Sequence, residues 1–170
     1  MSESPEIRAL SCTFTGHRSA KLPWKDNESD PRCIELKTKI YDTVEAVYCS
    51  GKRHFICGMA TGCDMYFCEA VLELRKHHND ITIEAAIPWS GQADSWSADL
   101  KNRYSALKNE CDYQTLVQTS YSSSCMMRRN KYMVDNASLL IACYDGKSGG
   151  TQRTMLYAIR QGVELIEIEI

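Results

Sequence analysis

The sequence lacks any stretch that approaches the roughly 18 consecutive apolar residues of a membrane-spanning helix. Its N-terminus, MSESPEIRAL, has neither the basic start nor the apolar core of a secretory signal. A strong charge of either sign is also missing, since 20 basic and 22 acidic side chains leave a net charge of -2. We therefore expect a cytoplasmic protein with no membrane partner. The balanced charge also argues against nucleic acid as a partner, although it leaves room for a local basic pocket.

Metal-binding patterns are absent as well. The nine cysteines form no CxxC pair and no His/Cys cluster with zinc-finger spacing. Most of them lie in apolar segments such as HFICG and LLIACYDG, where a free cysteine packs as a small hydrophobic side chain. We expect reduced, structural cysteines, no metal site and no cofactor, with a reactive thiol or a disulfide as the alternative.

No linker rich in Pro, Gly or Ser divides the 170 residues, which predicts a single domain with residues 1–7 flexible. Strand-like and helix-like segments alternate along the chain. The predicted strands are Arg8–Thr15, His54–Cys57, Ile81–Ile87, Tyr113–Gln118, Ala137–Tyr144 and Glu164–Ile168. Helices are predicted from the Asp30-Pro31 cap to Gly51, over Asp64–His77, around Trp96–Leu107, over Met126–Asn136 and over Thr151–Gln161. Parallel strands need crossovers, so this alternation predicts a Rossmann-like three-layer α/β/α sandwich with a mostly parallel sheet of about six strands.

Ligands of such sheets bind beyond the carboxyl ends of the strands, so the loops after the strands are the candidate site. These loops are Thr15–Arg18, Gly58–Asp64, Pro88–Trp89 and Tyr144–Thr151. GMATGCD and SGGTQRT each join a strand to a helix through glycines, a context that presents free N–H groups and the positive end of a helix dipole to a phosphate. The alternative for each is a tight turn capped by Asp64 or Thr151.

Several side chains in these loops have two interpretations. Arg18 either pairs with a phosphate or is solvated, and His17 either hydrogen-bonds the ligand or pins the turn. Asp64 either caps its helix or accepts hydrogen bonds from ribose hydroxyls. Trp89 either stacks on a base or belongs to the core. The basic run RRNK is either a solvated face or an anion contact, through Arg128 or Arg129 first.

Five ordered motifs, TGHR, GMATGCDMYFCEAV, IPW, RRNKYMVDNASLLIACYDG and SGGTQRTMLYAIRQG, resemble the SLOG superfamily over about residues 10–168. The closest likeness is to its YspA/YpsA-like branch, with the LOG enzymes and DprA as distant relatives. The resemblance implies a Rossmann-like domain that binds nucleotide-derived ligands, including ADP-ribose-like molecules, in bacterial and phage conflict. It maps the family's ligand site to Gly16, His17, Arg18, Gly58, Gly62, Asp64, Gly149, Gly150 and Thr151.

The chain departs from the LOG-type hydrolase motif PGGxGTxxE, because SGGTQRTML places Met155 or Leu156 where the acidic residue would fall. Cleavage of a glycosidic bond needs a carboxylate, and the candidates from other loops are Asp64, Glu69 and Asp145. Binding without turnover is therefore favoured. The alternative is a nucleotide N-glycosidase or phosphoribohydrolase of the LOG type.

The resulting prediction is a homo-oligomeric nucleotide-binding protein that sequesters a defence signal, an ADP-ribose derivative or cyclic nucleotide, in a bacterial or phage-infected cell. The helix that bears Trp96 and Tyr104 is the candidate contact between copies. The residues predicted to bind the ligand are Thr15, Gly16, His17, Arg18, Gly58, Ala60, Thr61, Gly62, Asp64, Pro88, Trp89, Arg128, Tyr144, Ser148, Gly149, Gly150 and Thr151.

Overall fold

A computed structural model describes residues 5–170 of the chain. Its strands are β1 (Ser11–Thr15), β2 (His54–Cys57), β3 (Thr82–Ile87), β4 (Tyr113–Leu116), β5 (Leu139–Tyr144) and β6 (Glu164–Glu169). Its helices are α1 (Pro5–Ala9), α2 (Pro31–Cys49), α3 (Cys63–Arg75), α4 (Ala98–Glu110), α5 (Cys125–Asp135) and α6 (Gly150–Arg160). Strands and helices alternate from β1 onward, as the hydrophobic pattern predicts.

The six strands form one parallel sheet in the order β4-β3-β2-β1-β5-β6. The chain thus moves outward from β1 to β4 and then returns to the other side of β1 to form β5 and β6. This topology confirms the predicted Rossmann-like α/β fold, and it places the point where the strand order reverses between β1 and β5. Open sheets of this kind hold ligands in the crevice at that point.

Helices cover both faces of the sheet, because each strand exposes side chains alternately to either side. α2, α3 and α4 pack on one another and on one face, around a large apolar core in which the rings of Phe14 and Phe67 stack at 4.6 Å. α5 and α6 pack together on the other face over smaller apolar clusters. The start of α2 follows directly from its sequence. Asp30 caps the helix by accepting a hydrogen bond from Arg32 N, and Pro31 occupies the first helical position. One stripe of the helix is buried.

A buried polar group joins α5 to the sheet. Glu84 of β3 is 4% exposed and accepts hydrogen bonds from Thr115 Oγ1 and Tyr132 Oη, each at 2.6 Å, with His54 Nε2 at 3.2 Å. Burial would raise the pKa of Glu84, but the hydrogen bonds from His54, Thr115 and Tyr132 together outweigh it and hold the pKa below its usual value. We call these four residues the Glu84 cluster.

The structure corrects some predicted boundaries. β1 begins at Ser11 rather than Arg8, because residues 8 and 9 belong to α1. Of residues 1–7, which were expected to be flexible, residues 5–7 lie in α1 and residues 1–4 lie outside the described part of the chain. None of the helices in residues 5–170 is long and apolar enough to cross a membrane.

Trp96 and Tyr104, which mark the region of the expected contact between copies, also contact the rest of the fold. Trp96 precedes α4, and Tyr104 is 6% exposed with its hydroxyl donating to Gln92 Oε1 at 3.2 Å. The two rings meet edge to face at 5.3 Å and pack against the core. Tyr104 therefore belongs to the core, whereas Trp96 is half-buried. Whether a face of α4 contacts a second copy stays a prediction.

Candidate functional site

A cavity of about 330 Å³ lies at the reversal of strand order, beyond the carboxyl ends of β1 and β5. This volume is at the lower end of the range for small-molecule sites. Its walls come from the loop after β1, the loop after β2, α5 and the start of α6. The lining residues are Phe14, Thr15, Gly16, His17, Arg18, Lys21, Ala60, Asp64, Met126, Arg129, Asn130, Met133, Gly150 and Thr151.

The loops after β1 and β2 are joined by hydrogen bonds and close contacts. Cys63 N donates to His17 O at 3.1 Å, and Ser19 Oγ donates to Thr61 Oγ1 at 3.3 Å. Gly62 has a φ of +80°, and a β-carbon there would lie 2.5 Å from Ser19 N. Gly62 therefore allows the two loops to pack together, and this packing fixes the wall that carries His17.

Asp64 lies in the first turn of α3, where its Oδ2 accepts a hydrogen bond from Ala60 N at 3.1 Å. The residue is 6% exposed and lines the cavity. Burial raises the pKa of this carboxyl above its usual value, while the charge of Arg129, the Ala60 N–H and Arg18 oppose the rise. Asp64 thus both caps the loop, as one interpretation of the sequence held, and faces the cavity.

Arg129 of α5 is the most deeply buried cation of the cavity, at 3% exposure. Its Nε donates to Asn130 Oδ1 at 2.9 Å, and its Nη1 donates to Gly58 O and to Ala86 O. Within the described residues its Nη2 has no hydrogen-bond partner. Burial lowers the pKa of Arg129, but a guanidinium remains charged at neutral pH. A charged donor is therefore held rigidly in the cavity wall with one nitrogen free.

The N-terminus of α6 forms the opposite wall. A β-carbon on Gly150 would meet no atom within 4 Å, so the backbone there is open to close approach. The first N–H groups of a helix have no partner within the helix, and no side chain caps this one. Thr151 is buried in the same turn and also lines the cavity. Partial positive charge and free donors therefore face the cavity.

His17 is 7% exposed and lies at the mouth beside Asp145. The distance from His17 Nε2 to Asp145 Oδ1 is 2.9 Å, yet the two atoms are not aligned as a hydrogen bond. Partial burial would raise the pKa of Asp145, but the Lys147 N–H and His17 outweigh it and hold the pKa below its usual value. His17 Nε2 thus lies against the Asp145 carboxylate at the mouth, and the ring lines the cavity.

A model of the YspA SLOG family matches residues 12–169 of the chain. The chain belongs to the YspA SLOG family. It is similar to the uncharacterized SPbeta prophage-derived protein YoqJ of Bacillus subtilis, with 32% identity over 76% of this chain and 83% of that protein. It is also similar to the UPF0398 protein YpsA of Bacillus subtilis, with 22% identity over 76% of this chain and 73% of that protein.

Solved structures share the fold of this SLOG family member. DNA processing protein A (DprA) from Streptococcus pneumoniae superposes with a TM-score of 0.63 and 14% identity over 95% of this chain, which spans half the length of that protein. DNA processing protein A from Helicobacter pylori, described for its single-stranded DNA binding mode, superposes with a TM-score of 0.60 and 14% identity over 98% of this chain and 69% of that protein. At this identity the likeness shows the fold alone. The balanced charge argued against nucleic acid as a partner, and this likeness does not support that expectation.

Eight of the residues predicted to bind the ligand line the cavity of this SLOG family member. They are Thr15, Gly16, His17, Arg18, Ala60, Asp64, Gly150 and Thr151. The other predicted residues lie outside the lining: Gly58, Thr61, Gly62, Pro88, Trp89, Arg128, Tyr144, Ser148 and Gly149. Whether any of these residues binds a ligand stays a prediction.

Some of the residues outside the lining have other roles. A β-carbon on Gly58 would lie 2.7 Å from Arg129 Cζ, so this glycine makes room for the guanidinium. Trp89 contacts Tyr121 edge to face at 5.6 Å. Arg128 is exposed on α5, whereas the neighbouring Arg129 enters the cavity wall.

Two of the three candidate carboxylates, Asp64 and Glu69, are separated by the fold, whereas Asp145 lies at the mouth beside His17. Asp64 lines the cavity, whereas Glu69 lies outside it and pairs with Arg103 of α4, with Nε–Oε1 at 2.7 Å and Nη2–Oε2 at 3.0 Å. Arg103 also binds both carboxylate oxygens of Glu28 and so joins three segments of the helical layer. Glu69 therefore has a structural role, as the partner of Arg103.

Sequence reasoning named Arg129 only beside Arg128, and it missed the lining residues Phe14, Lys21, Met126, Asn130 and Met133. Met126, Arg129 and Met133 follow one another at steps of three and four, which marks one stripe of a helix. That periodicity was a signal for the inward direction of Arg129. Lys21 had no such signal, because it lies in an irregular segment after β1.

Proposed function

We propose that this protein binds a nucleotide-derived ligand whose phosphate lies at the N-terminus of α6 and whose ribose lies beside Asp64. The observation that carries the proposal is Arg129, a buried guanidinium with a free Nη2 in the wall of a cavity that also receives an uncapped helix N-terminus. Burying a charged group without a full set of partners is costly, and an anion supplies the missing partner.

The two ends of the cavity suit different parts of such a ligand. Gly150 and Thr151 offer N–H groups, and Arg18 adds a charge that no carboxylate of the described residues pairs. Asp64 has one oxygen on Ala60 N and directs the carboxyl group into the cavity, where ribose hydroxyls are suitable donors. Met126 and Met133 line the α5 side with apolar, adaptable surface for a sugar or base.

The biological role that we propose is sequestration of a nucleotide signal such as an ADP-ribose derivative or a cyclic nucleotide. The likeness to a prophage-derived relative supports a role in the conflict between phage and host. A binding protein with this role lowers the free concentration of its ligand without consuming it. Association of copies is part of the same proposal, and multi-angle light scattering after size exclusion tests it.

Isothermal titration with AMP, ADP, ADP-ribose, cyclic AMP and a single-stranded oligonucleotide tests the binding function. We expect a nucleotide to bind with a Kd below about 10 μM, which corresponds to about 7 kcal/mol. Arg129→Gln should lose this binding, and Arg128→Gln, which removes the exposed neighbouring charge, is the matched control. If Arg129→Gln does not fold, Gly150→Ala is the second variant. Its β-carbon lies in open space at the N-terminus of α6, so the protein should fold while its affinity for the nucleotide falls. Absence of binding to every nucleotide overturns the proposal, and preference for the oligonucleotide assigns the cavity to nucleic acid instead.

Hydrolysis of the N-glycosidic bond is the second candidate function, favoured by the raised pKa of Asp64. A carboxyl whose pKa is shifted toward neutrality suits a general acid. Chromatography of the bound nucleotide after long incubation and denaturation separates the two functions. Recovery of intact nucleotide supports binding alone, whereas free base and ribose phosphate show turnover, which Asp64→Asn should then abolish.

A further inference from the structure

Lys21 reaches across the cavity mouth from the segment after β1 to the loop before α6. Its backbone is fixed by a 3-10 turn, with Lys21 N donating to Arg18 O at 2.9 Å, and by the fully buried Leu22 that follows. The side chain lines the cavity, and a β-carbon on Gly149 would lie 3.4 Å from Lys21 Nζ. The side chain of Lys21 is exposed, and its ammonium group lies next to the start of α6.

This position places an exposed cation beside the positive end of a helix. The N-terminus of a helix carries partial positive charge, which repels a cation in the first turn. Lys21 Nζ has no hydrogen bond or ion pair within the part of the chain that the structure describes. An anion between Lys21 and the N-terminus of α6 removes the repulsion.

The charge of the cavity indicates how many negative charges that anion carries. Arg18, Lys21 and Arg129 supply three positive charges to the lining, and His17 adds a further donor. Asp64 is the single carboxylate of the lining, and burial raises its pKa, which reduces its negative charge. The excess is thus at least two positive charges, in addition to the helix terminus. A phosphomonoester carries about 1.5 to 2 negative charges at pH 7, whereas a phosphodiester carries one.

We propose that Lys21 makes the cavity selective for a terminal phosphomonoester over a phosphodiester of the same sugar. This inference rests on the proposed function and narrows its ligand class. The N–H groups of α6 hold two phosphate oxygens in either ligand, and Lys21 contacts the third, which is charged only in the monoester. A cyclic nucleotide lacks such an oxygen, and an ADP-ribose derivative meets the requirement only when it carries a phosphate at a free end.

Ribose 5-phosphate and its phosphate methyl ester are matched probes, because they share the sugar and differ by one charge. We expect the wild-type protein at pH 7.5 to bind ribose 5-phosphate about tenfold more tightly, the size of one hydrogen bond to a charged group. Lys21→Gln should lose most of this selectivity, with the remainder due to Arg18, Arg129 and the helix terminus, while its affinity for the methyl ester changes less than about threefold. Lys25→Gln removes the same charge from an exposed side chain outside the lining and should keep the selectivity.

The pH dependence gives a second measurement. The monoester gains its second charge near pH 6, so the selectivity of the wild type should fall toward one between pH 7.5 and pH 5. The methyl ester does not titrate in this range, so any change in its affinity comes from the protein. The charged and ionisable side chains that line the cavity with Lys21 are His17, Arg18, Asp64 and Arg129, and Asp145 lies beside His17. Lys21→Gln should show a much smaller change in the ratio of the two dissociation constants.

The outcomes are distinct. Equal affinity of the wild type for the two probes, or an equal loss for both in Lys21→Gln, overturns the role of Lys21 and leaves the proposed function standing. Absence of binding to ribose 5-phosphate and to every nucleotide of the titration panel overturns the proposed function together with this inference.

Discussion

Replacing Gly58 by alanine should weaken both the fold and ligand binding, although Gly58 does not line the cavity. The new β-carbon would lie 2.7 Å from Arg129 Cζ and 2.8 Å from Nη1. The guanidinium must then withdraw by about 1 Å to reach ordinary contact distance, which breaks or lengthens its bonds to Gly58 O and Ala86 O. A hydrogen bond to a charged donor contributes about 1.5 to 3 kcal/mol, so we expect the free energy of unfolding to fall by roughly 2 to 4 kcal/mol.

Urea denaturation followed by circular dichroism measures the loss of stability, and titration with the nucleotide that binds most tightly measures affinity. We expect Gly58→Ala to weaken binding at least tenfold, because Arg129 Nη2 moves with the rest of the guanidinium. Gly150→Ala is the matched control for stability, because its β-carbon meets open space and alanine favours a helix. Its free energy of unfolding should stay the same or rise by up to about 1 kcal/mol, although its affinity falls. An unchanged urea midpoint and an unchanged Kd for Gly58→Ala would refute the proposed contact between Gly58 and Arg129.

Asp64→Asn should weaken the binding of a ribose-containing nucleotide about tenfold or more and leave the binding of inorganic phosphate unchanged, as titration with both probes would show. Glu69→Gln should leave both affinities unchanged and lower the free energy of unfolding by no more than about 1 kcal/mol, because its ion pair is partly exposed; a loss of affinity would place Glu69 in the site. The depressed pKa of Glu84 means that its contribution to stability is present above the usual pKa of 4.5 and is lost as the pH falls below it. Glu84→Gln should therefore show a shallower decline in stability between pH 5 and pH 3 than the wild type, and parallel declines would contradict this account of the Glu84 cluster.

The sequence by itself determined the alternation of elements and hence the parallel sheet. Parallel strands require crossovers, and the apolar runs of β3 and β5 together with caps such as Asp30-Pro31 allow few other arrangements. Because the carboxyl ends of all parallel strands lie at one edge of the sheet, the loops with TGHR, GMATGCD and SGGT must lie at that edge. The family followed from the same ordered motifs.

Only the tertiary structure decided which side chains of these loops and helices face the cavity. Consecutive residues of a helix point about 100° apart, so the choice between Arg128 and Arg129 depended on which stripe of α5 packs on the sheet. By the same geometry Asp64 and Glu69, five residues apart on α3, point about 140° apart and cannot share a cavity. Contacts between distant segments settled the rest, because Gly58 meets Arg129 and Lys21 meets the start of α6 only after the sheet has formed.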